Sequence, residues 1–171
     1  MTQTSDSTIL TLDLGIKTGW ALYKPDALIT SGTIQFKTNR FEGGGMRYLK
    51  FKQWLTQIKN THGQIDEVHF EEVRMHRGKG KNGRVTFNVD AAHAYGGFVA
   101  TLTAWCEHHE IPYAAMPVGK IKKHITGKGN ANKQAVIKAV KAKGFNPTDD
   151  NEADALALLD LILIQNQRRL I

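Results

Sequence analysis

The sequence is short of cysteine and of long apolar runs, and both shortages narrow the class of protein. Cys106 is the only cysteine in 171 residues, so no disulfide can form within the chain, which is typical of a reducing compartment. The longest apolar stretch, residues 155–164, is interrupted by Asp160 and is too short to cross a bilayer. The opening MTQTSDST has neither the basic nor the apolar region of a signal peptide. We therefore expect a cytoplasmic protein that does not associate with membranes.

Acidic residues are absent from two stretches that together hold more than half of the basic side chains. Residues 73–89 contain five Lys and Arg and residues 111–148 contain eight lysines, so 13 of the 23 cationic residues lie there. Segregated cations raise the local positive potential and release counterions when they bind a phosphate backbone. The pattern predicts a surface that binds a polyanion; the alternative is an ordinary solvated basic surface.

Apolar periodicity and turn residues predict an α/β fold in one domain that spans residues 1–171. Strands are expected at residues 8–14, 20–23, 29–36, 68–73 and 111–116, with a glycine-containing turn at residues 15–19. Helices are expected at residues 45–60, 87–108, 131–143 and 150–165. Because three strands come first and helices and strands then alternate, we expect a mixed sheet whose first three strands pair as antiparallel hairpins.

One aspartate lies inside an apolar strand, where an unpaired carboxylate is costly. Asp13 stands between Leu12 and Leu14 in LTLDLG, and burying its charge is unfavourable unless a cation or hydrogen-bond donors meet it. Further acids occur in VHFEEV and in DDNEADALALLDL, on another strand and at the start of the last helix. Carboxylates gathered from two strands and a helix fit Mg²⁺, and two such ions can activate water against a phosphodiester. The alternative is that Asp13 pairs with a lysine.

Helix geometry narrows the choice among the acids of the last helix. At about 100° per residue, Asp150 lies about 40° and Asn151 about 60° from Asp154, whereas Glu152 lies about 160° away. Asp149 and Asp150 also suit the first turn of a helix, where the helix dipole favours acids. Asp154 is too far inside the helix for that role and is the better candidate for chemistry.

The two glutamates of VHFEEV point to opposite faces of their strand, so one of them can join the site. Spacing alone does not decide between Glu71 and Glu72.

Four motifs resemble, in order, those of the RuvC family of Holliday junction resolvases. They are LDLGIKTGWA on the first strand, FEEV on a later strand, TGKGNANK before a helix and NEADALAL near the end, and together they span residues 8–163. The resemblance implies an RNase H-like (RuvC-type) fold with a mixed five-stranded sheet flanked by helices. It also implies a homodimer that nicks four-way DNA junctions symmetrically with Mg²⁺ or Mn²⁺. The small size resembles that of members encoded by phages or prophages in bacterial cells.

The resemblance also assigns residues. Asp13, Glu71 and Asp154 match three catalytic, metal-binding acids of the family, and this match selects Glu71 over Glu72. The family's fourth acid falls on Asn151, which offers an oxygen without charge; either Asp150 replaces it, which we favour, or a second metal ion is held more weakly. Lys122 and Lys133 match two lysines near the scissile phosphate. The basic residues expected to contact DNA are Arg74, Arg77, Lys79, Lys81, Arg84, Lys120, Lys123 and Lys128.

Three further expectations concern the surroundings of the site. Arg74 occupies a position where the family often carries an aromatic residue, which suggests a nuclease less selective for sequence. The helix at residues 87–108 is the candidate dimer interface, and His76 or His124 is a candidate for protonating a leaving group. Two alternative functions are a junction-binding protein that does not cleave and an RNA-processing nuclease of the same fold. A third alternative, an actin-like ATPase, is nearly excluded by the length of 171 residues, because that architecture needs two such domains.

Overall fold

The computed structural model describes residues 6–73, 78–79, 85–86 and 89–169. In chain order the elements are β1 (Ile9–Asp13), β2 (Lys17–Tyr23), β3 (Thr30–Gln35), α1 (Met46–His62), β4 (Glu67–Glu72), β5 (Gly78–Lys79), β6 (Val85–Thr86), α2 (Val89–His108), β7 (Tyr113–Pro117), α3 (Val118–Thr126), α4 (Lys133–Ala142) and α5 (Asp150–Arg169). No helix in these ranges is long and apolar enough to span a membrane.

Five strands form one mixed sheet in the order β3-β2-β1-β4-β7. Strands β1, β2 and β3 pair antiparallel, whereas β1 pairs with β4 and β4 with β7 in parallel. The predicted mixed sheet with an antiparallel start is therefore confirmed. Strands β1, β3, β4 and β7 all end at the same edge of this sheet, which we call the carboxyl edge. Strands β5 and β6 form a separate antiparallel pair.

Helices cover both faces of the sheet, and strand alternation decides which side chains meet them. Leu10 and Leu12 of β1 face a core built with α1 and α2, whose buried aromatic residues are Phe51, Trp54, Phe98 and Trp105. Ile9 faces a second core formed by α3, α4 and α5, in which Ala153, Ala155, Leu156 and Leu159 are fully buried. By the same alternation, Thr11 and Asp13 point toward α5.

Two expectations about elements were wrong. Strand β2 begins at Lys17, so the predicted turn at residues 15–19 is shorter and Gly19 lies within the strand. Helix α3 was not predicted: Val118, Ile121 and Ile125 follow a helical spacing, but the helix has nine residues, which is shorter than the window of roughly 11 residues that reveals a helical period. The expectation of one domain across residues 1–171 stays a prediction.

Candidate active site

Strand pairing brings the first two candidate acids together at the carboxyl edge. Leu12 pairs with Phe70 in the parallel ladder of β1 and β4, so Asp13 and Glu71 follow side by side where the two strands end. Because successive side chains alternate between faces, Leu12 and Phe70 enter the core with α1 and α2. Asp13 and Glu71 therefore point to the opposite face, where α5 lies.

Two contacts fix α5 against this part of the sheet. The hydroxyl of Thr11, fully buried two residues before Asp13, donates a hydrogen bond to the carbonyl oxygen of Ala155 at 2.8 Å. Gly19, the partner of Asp13 in the ladder, lies directly under the backbone of Asn151; a Cβ there would stand 1.9 Å from the Asn151 carbonyl oxygen. The first turns of α5 thus rest on β1 and β2 beside Asp13.

Three carboxylates form an electrostatically coupled cluster in this region. Burial raises the pKa of Asp13 well above its ordinary value, and the nearby charges of Glu71 and Asp154 raise it further. Burial, together with the charge of Asp154, raises the pKa of Glu71 to about 7. Burial also raises the pKa of Asp154 to about 6, although the charge of Lys122 opposes this shift. The fold therefore brings together three buried acids whose negative charges repel one another.

Asp150 borders the cluster and pairs with Lys133. The Lys133 ammonium donates a hydrogen bond to Asp150 Oδ2, and this bond is the main cause that lowers the pKa of Asp150 and raises that of Lys133. The charge of Asp150 contributes to the raised pKa values of Asp13 and Asp154, which shows that it lies within electrostatic reach of both. Asn151 brings no charge; its backbone packs on Gly19.

The other two acids at the start of α5 have structural partners. Asp149 caps the helix, since its Oδ1 accepts from the Glu152 backbone N–H at 2.9 Å; it also pairs with Lys17 at 2.8 Å. Glu152 is buried and accepts hydrogen bonds at 2.7 Å from Thr148 and from Ser31. The predicted divergence of Glu152 from Asp154 is consistent with these contacts. Asp149 was expected in the first turn and instead lies one residue before the helix, where it acts as the cap.

Tyr95 of α2 holds the end of β4, a role that no pattern in the sequence indicated. Its hydroxyl donates to the carbonyl oxygen of Glu71 at 2.8 Å and accepts from the backbone N–H of Val73 at 3.1 Å. Both bonds act at the point where β4 leaves the sheet. Tyr95 therefore fixes the backbone that carries Glu71.

The donor chemistry of the cluster fits a hard divalent cation, although its side chains are not arranged as a finished ligand set. Within the described residues, no three His, Cys, Asp or Glu side chains are placed to hold a metal ion. Asp13, Glu71 and Asp154 nevertheless supply the oxygen donors that Mg²⁺ and Mn²⁺ prefer. A cation there would remove the repulsion that raises their pKa values.

The remaining candidates lie at varying distances from the cluster. Lys122 and Lys133 reach it electrostatically, and Lys120, Lys123 and Lys128 are exposed on and just after α3. His124 Nε2 lies 2.6 Å from Asp160 Oδ2, so a bond to α5 occupies this candidate proton donor. Arg74, His76, Arg77, Lys81 and Arg84 lie outside the described residues, as does the side chain of Lys79.

Proteins of known function resemble the chain along most of its length. The crossover junction endodeoxyribonuclease RuvC of Ehrlichia canis is 32% identical over 158 residues, which cover 88% of this chain and 93% of the relative. The corresponding protein of Ehrlichia chaffeensis is 30% identical, with 86% and 93% covered. The chain belongs to the RuvC family. No protein-family model matches the sequence.

Solved structures of RuvC proteins share the fold. Thermus thermophilus RuvC in complex with a Holliday junction substrate matches with a TM-score of 0.71 at 18% identity, covering 95% of this chain and 96% of that one. The yeast mitochondrial Holliday junction resolvase Ydc2 matches with a TM-score of 0.61 at 12% identity, covering 98% and 81%. The predicted RNase H-like, RuvC-type fold with its mixed five-stranded sheet is therefore confirmed.

Proposed function

We propose that this RuvC-family protein is an endodeoxyribonuclease that resolves four-way DNA junctions by paired symmetric nicks. The observation that carries the proposal is the cluster of Asp13, Glu71 and Asp154 at the carboxyl edge. Buried acids with raised pKa values next to lysines are typical of catalytic sites rather than of stabilising ion pairs. We propose that it acts in the cytoplasm of a bacterial cell, because the relatives that it matches come from bacteria.

In this proposal, four acids hold two Mg²⁺ or Mn²⁺ ions: Asp13, Glu71, Asp154 and Asp150. Bound in pairs, such ions lower the pKa of a water for attack on phosphorus and stabilise the departing oxygen. Asp150 supplies the charge that Asn151 lacks, because it lies within electrostatic reach of Asp13 and Asp154.

Two lysines complete the proposed centre. Lys122 is half-buried and lowers the pKa values of Glu71 and Asp154, which supports a role for its ammonium beside a phosphate bound at these acids. Lys133 is largely exposed and paired with Asp150. A phosphate entering the site offers Lys133 a second anion, so this ammonium can turn from Asp150 to the DNA backbone.

Paired nicks in a junction with two-fold symmetry require two centres related by the same symmetry, so the protein should act as a homodimer. Helix α2 is the proposed interface. At four-residue spacing, α2 exposes small residues that share one face of the helix, and we expect a second copy to pack there: Gly96, Ala100 and Ala104. Sedimentation of the purified protein would test this assembly.

Incubation with a synthetic four-way junction, in Mg²⁺ or in EDTA, tests the proposed activity. Wild-type protein should give paired nicks in Mg²⁺ and bind without cleavage in EDTA. Asp13→Asn should bind the junction and leave it uncut in Mg²⁺. Tight binding without product in Mg²⁺ and in Mn²⁺ would instead indicate an architectural junction-binding protein, the alternative suggested by Asn151 in place of an acid. Preferential cutting of duplex RNA or an RNA–DNA hybrid would indicate the RNA-processing alternative.

A further inference from the structure

The loop between β3 and α1 lies at the same sheet edge as the carboxylates. Strand β3 runs in the direction of β1, and its last residue, Gln35, pairs with Lys17 just beyond the turn that follows Asp13. The backbone N–H of Phe36 then donates to the carbonyl oxygen of Ile16 at 2.7 Å, which fixes where the chain leaves the sheet. The loop therefore starts at the carboxyl edge.

This loop exposes an aromatic ring to solvent in a defined conformation. Phe41 is 83% exposed, and the guanidinium of Arg40 lies over its ring, 4.5 Å from the centroid. The Phe41 backbone N–H donates to Asn39 Oδ1 at 2.9 Å, and the Asn39 N–H donates to Glu42 Oε2 at 3.0 Å. Because side chains of the loop hold its backbone, the exposure of Phe41 is built into the structure.

The segment that carries Phe41 is rich in cations, and one of them, Arg40, lies against the ring. Residues 36–52 contain five Lys and Arg and a single acid, Glu42, whose Oε2 accepts from the Lys50 ammonium at 2.7 Å. An exposed ring in such surroundings suits an anionic partner with flat rings better than an apolar protein surface. Unpaired nucleobases meet both requirements, since they stack on aromatic and guanidinium planes while their phosphates attract cations.

We propose that Phe41, with Arg40 stacked on it, binds an unstacked base at the branch point of the DNA; this rests on the proposed function. Phe41 is five residues beyond Phe36, so it lies within about 18 Å of the carboxyl edge. A base held there is close enough to belong to the same branched DNA as a phosphate at the carboxylate cluster. The loop would thereby favour branched over continuous duplex DNA.

The test measures binding in EDTA, where cleavage does not interfere. The probe is a four-way junction with 2-aminopurine at the branch point, compared with a duplex of the same length and composition. Variants are Phe41→Ala, Phe41→Trp and Arg40→Gln. The matched control is Leu28→Ala, because Leu28 is 91% exposed and lies between β2 and β3 at the opposite edge of the sheet.

Phe41→Ala should weaken junction binding about 5- to 100-fold, the range that stacking of one base on an aromatic ring supports. Duplex affinity should change less than about twofold, and the fluorescence change of 2-aminopurine on binding should disappear. Phe41→Trp should retain both properties. Arg40→Gln should lower the slope of log affinity against log salt by about 1, which corresponds to the loss of one phosphate contact. Leu28→Ala should match the wild type.

Three results would overturn the inference. They are unchanged junction affinity and fluorescence in Phe41→Ala, an equal loss of junction and duplex affinity, or a change in oligomeric state that assigns Phe41 to self-association. Failure of the wild type to bind the junction would contradict the proposed function itself, so the two failures are distinguishable. Because Phe41 is exposed, its replacement should leave thermal stability nearly unchanged, and a melting curve verifies folding.

Discussion

At the scale of single residues, the site depends on what strand alternation does to Asp13. Ile9, Thr11 and Asp13 share one face of β1, and the first two are fully buried against α5. Asp13 continues this row at the point where the strand ends. Its carboxylate is therefore buried although it lies at the carboxyl edge. A cation bound there would strongly stabilise the charged form of this carboxylate, because burial disfavours that form.

The raised pKa values predict how stability depends on pH. The pKa of Glu71 rises from 4.5 to about 7 and that of Asp154 from 3.8 to about 6, chiefly through burial. The folded state therefore binds more protons than the unfolded chain in this interval. Without divalent cations, these two groups decrease the free energy of unfolding as the pH rises from about 4 to 7.

Urea unfolding of wild type and Glu71→Gln in EDTA checks this prediction. At pH 8 the variant should be more stable than the wild type by about 1–3 kcal/mol, and the difference should shrink toward zero near pH 4. Mg²⁺ at pH 8 should stabilise the wild type more than the variant. A difference that does not depend on pH would contradict the coupled carboxylate cluster.

The relative importance of Asp150 and Asn151 gives a second prediction. Asp150 carries charge beside Asp13 and Asp154, whereas the Asn151 backbone packs on Gly19. Asp150→Asn should reduce the single-turnover cleavage rate at least about tenfold, the smallest loss typical of a disturbed metal environment. Asn151→Ala should change it much less. The reverse order would show that the amide of Asn151, rather than Asp150, completes the site.

Single residues differ in how far sequence could identify them. Asp13 and Asp154 were predictable because a charge in an apolar strand and an acid deep in an apolar helix are locally anomalous. Strand alternation places Glu71 and Glu72 on opposite faces of the sheet. It does not show which face α5 covers, so it does not decide which of the two glutamates joins the site. Thr11 and Tyr95 act through hydrogen bonds to residues 144 and 24 positions away, so no local pattern revealed them.

At the scale of secondary structure elements, the site depends on how α2 and α5 meet the ends of strands. Helix α5 approaches β2 closely only because Gly19 lacks a side chain. Helix α2 reaches the end of β4 through Tyr95. The acids are thus positioned by elements on both faces of the sheet.

Removal of the Tyr95 hydroxyl tests the positioning role of α2. Tyr95→Phe loses the bonds to the Glu71 carbonyl and the Val73 N–H, so the end of β4 loosens. We expect about 0.5–1.5 kcal/mol of lost stability. We also expect a several-fold decrease in the single-turnover rate, with junction affinity nearly unchanged.

The matched control is Tyr113→Phe. Tyr113 lies at the start of β7, away from the carboxyl edge, and its hydroxyl donates a hydrogen bond to Glu107 of α2. If Tyr95→Phe reduced stability while its cleavage rate equalled that of the control, Tyr95 would be structural only.

The elements themselves followed largely from periodicity. Helices α1, α2, α4 and α5 were expected near their observed positions because their apolar residues repeat about every 3.6 residues. The five strands of the sheet were expected from short runs bounded by turn residues rather than from strict alternation, since β1 is buried on both faces. The start of β2 was not expected at Lys17, because a glycine such as Gly19 is typical of a turn. Its close contact with the Asn151 backbone, which explains the glycine, is seen only in the structure. Helix α3 has a clear apolar face, but its nine residues are too short a window for the helical period to be recognised from the sequence.

At the scale of the whole molecule, charge is separated between the acidic cluster and the basic residues around it. Lys120 and Lys123 are exposed on α3, while Ile121 between them enters the core. Helix α3 thus packs on the core through Ile121 and Ile125 and presents Lys120 and Lys123 to solvent, while Lys122 reaches the cluster electrostatically. This arrangement supports a DNA backbone running past α3 toward the carboxylates.

Replacing both lysines by neutral residues should weaken DNA binding without changing the rate of cleavage of bound DNA. The double variant Lys120→Gln and Lys123→Gln should lower the slope of log affinity against log salt by about 2, with little change in single-turnover rate. Lys24→Gln is the control, since Lys24 lies after β2 at the opposite edge of the sheet. An unchanged slope in the double variant would place the DNA surface elsewhere.

The most direct measurement maps nicks on a four-way junction with each strand labelled in turn, in Mg²⁺, for wild type, Glu71→Gln and Glu72→Gln. These glutamates are neighbours on β4 and point to opposite faces, so each serves as the control for the other. We predict two nicks at symmetry-related positions from the wild type and from Glu72→Gln, and none from Glu71→Gln. Cleavage that survives Glu71→Gln and is lost in Glu72→Gln would contradict the carboxylate cluster as the centre of cleavage.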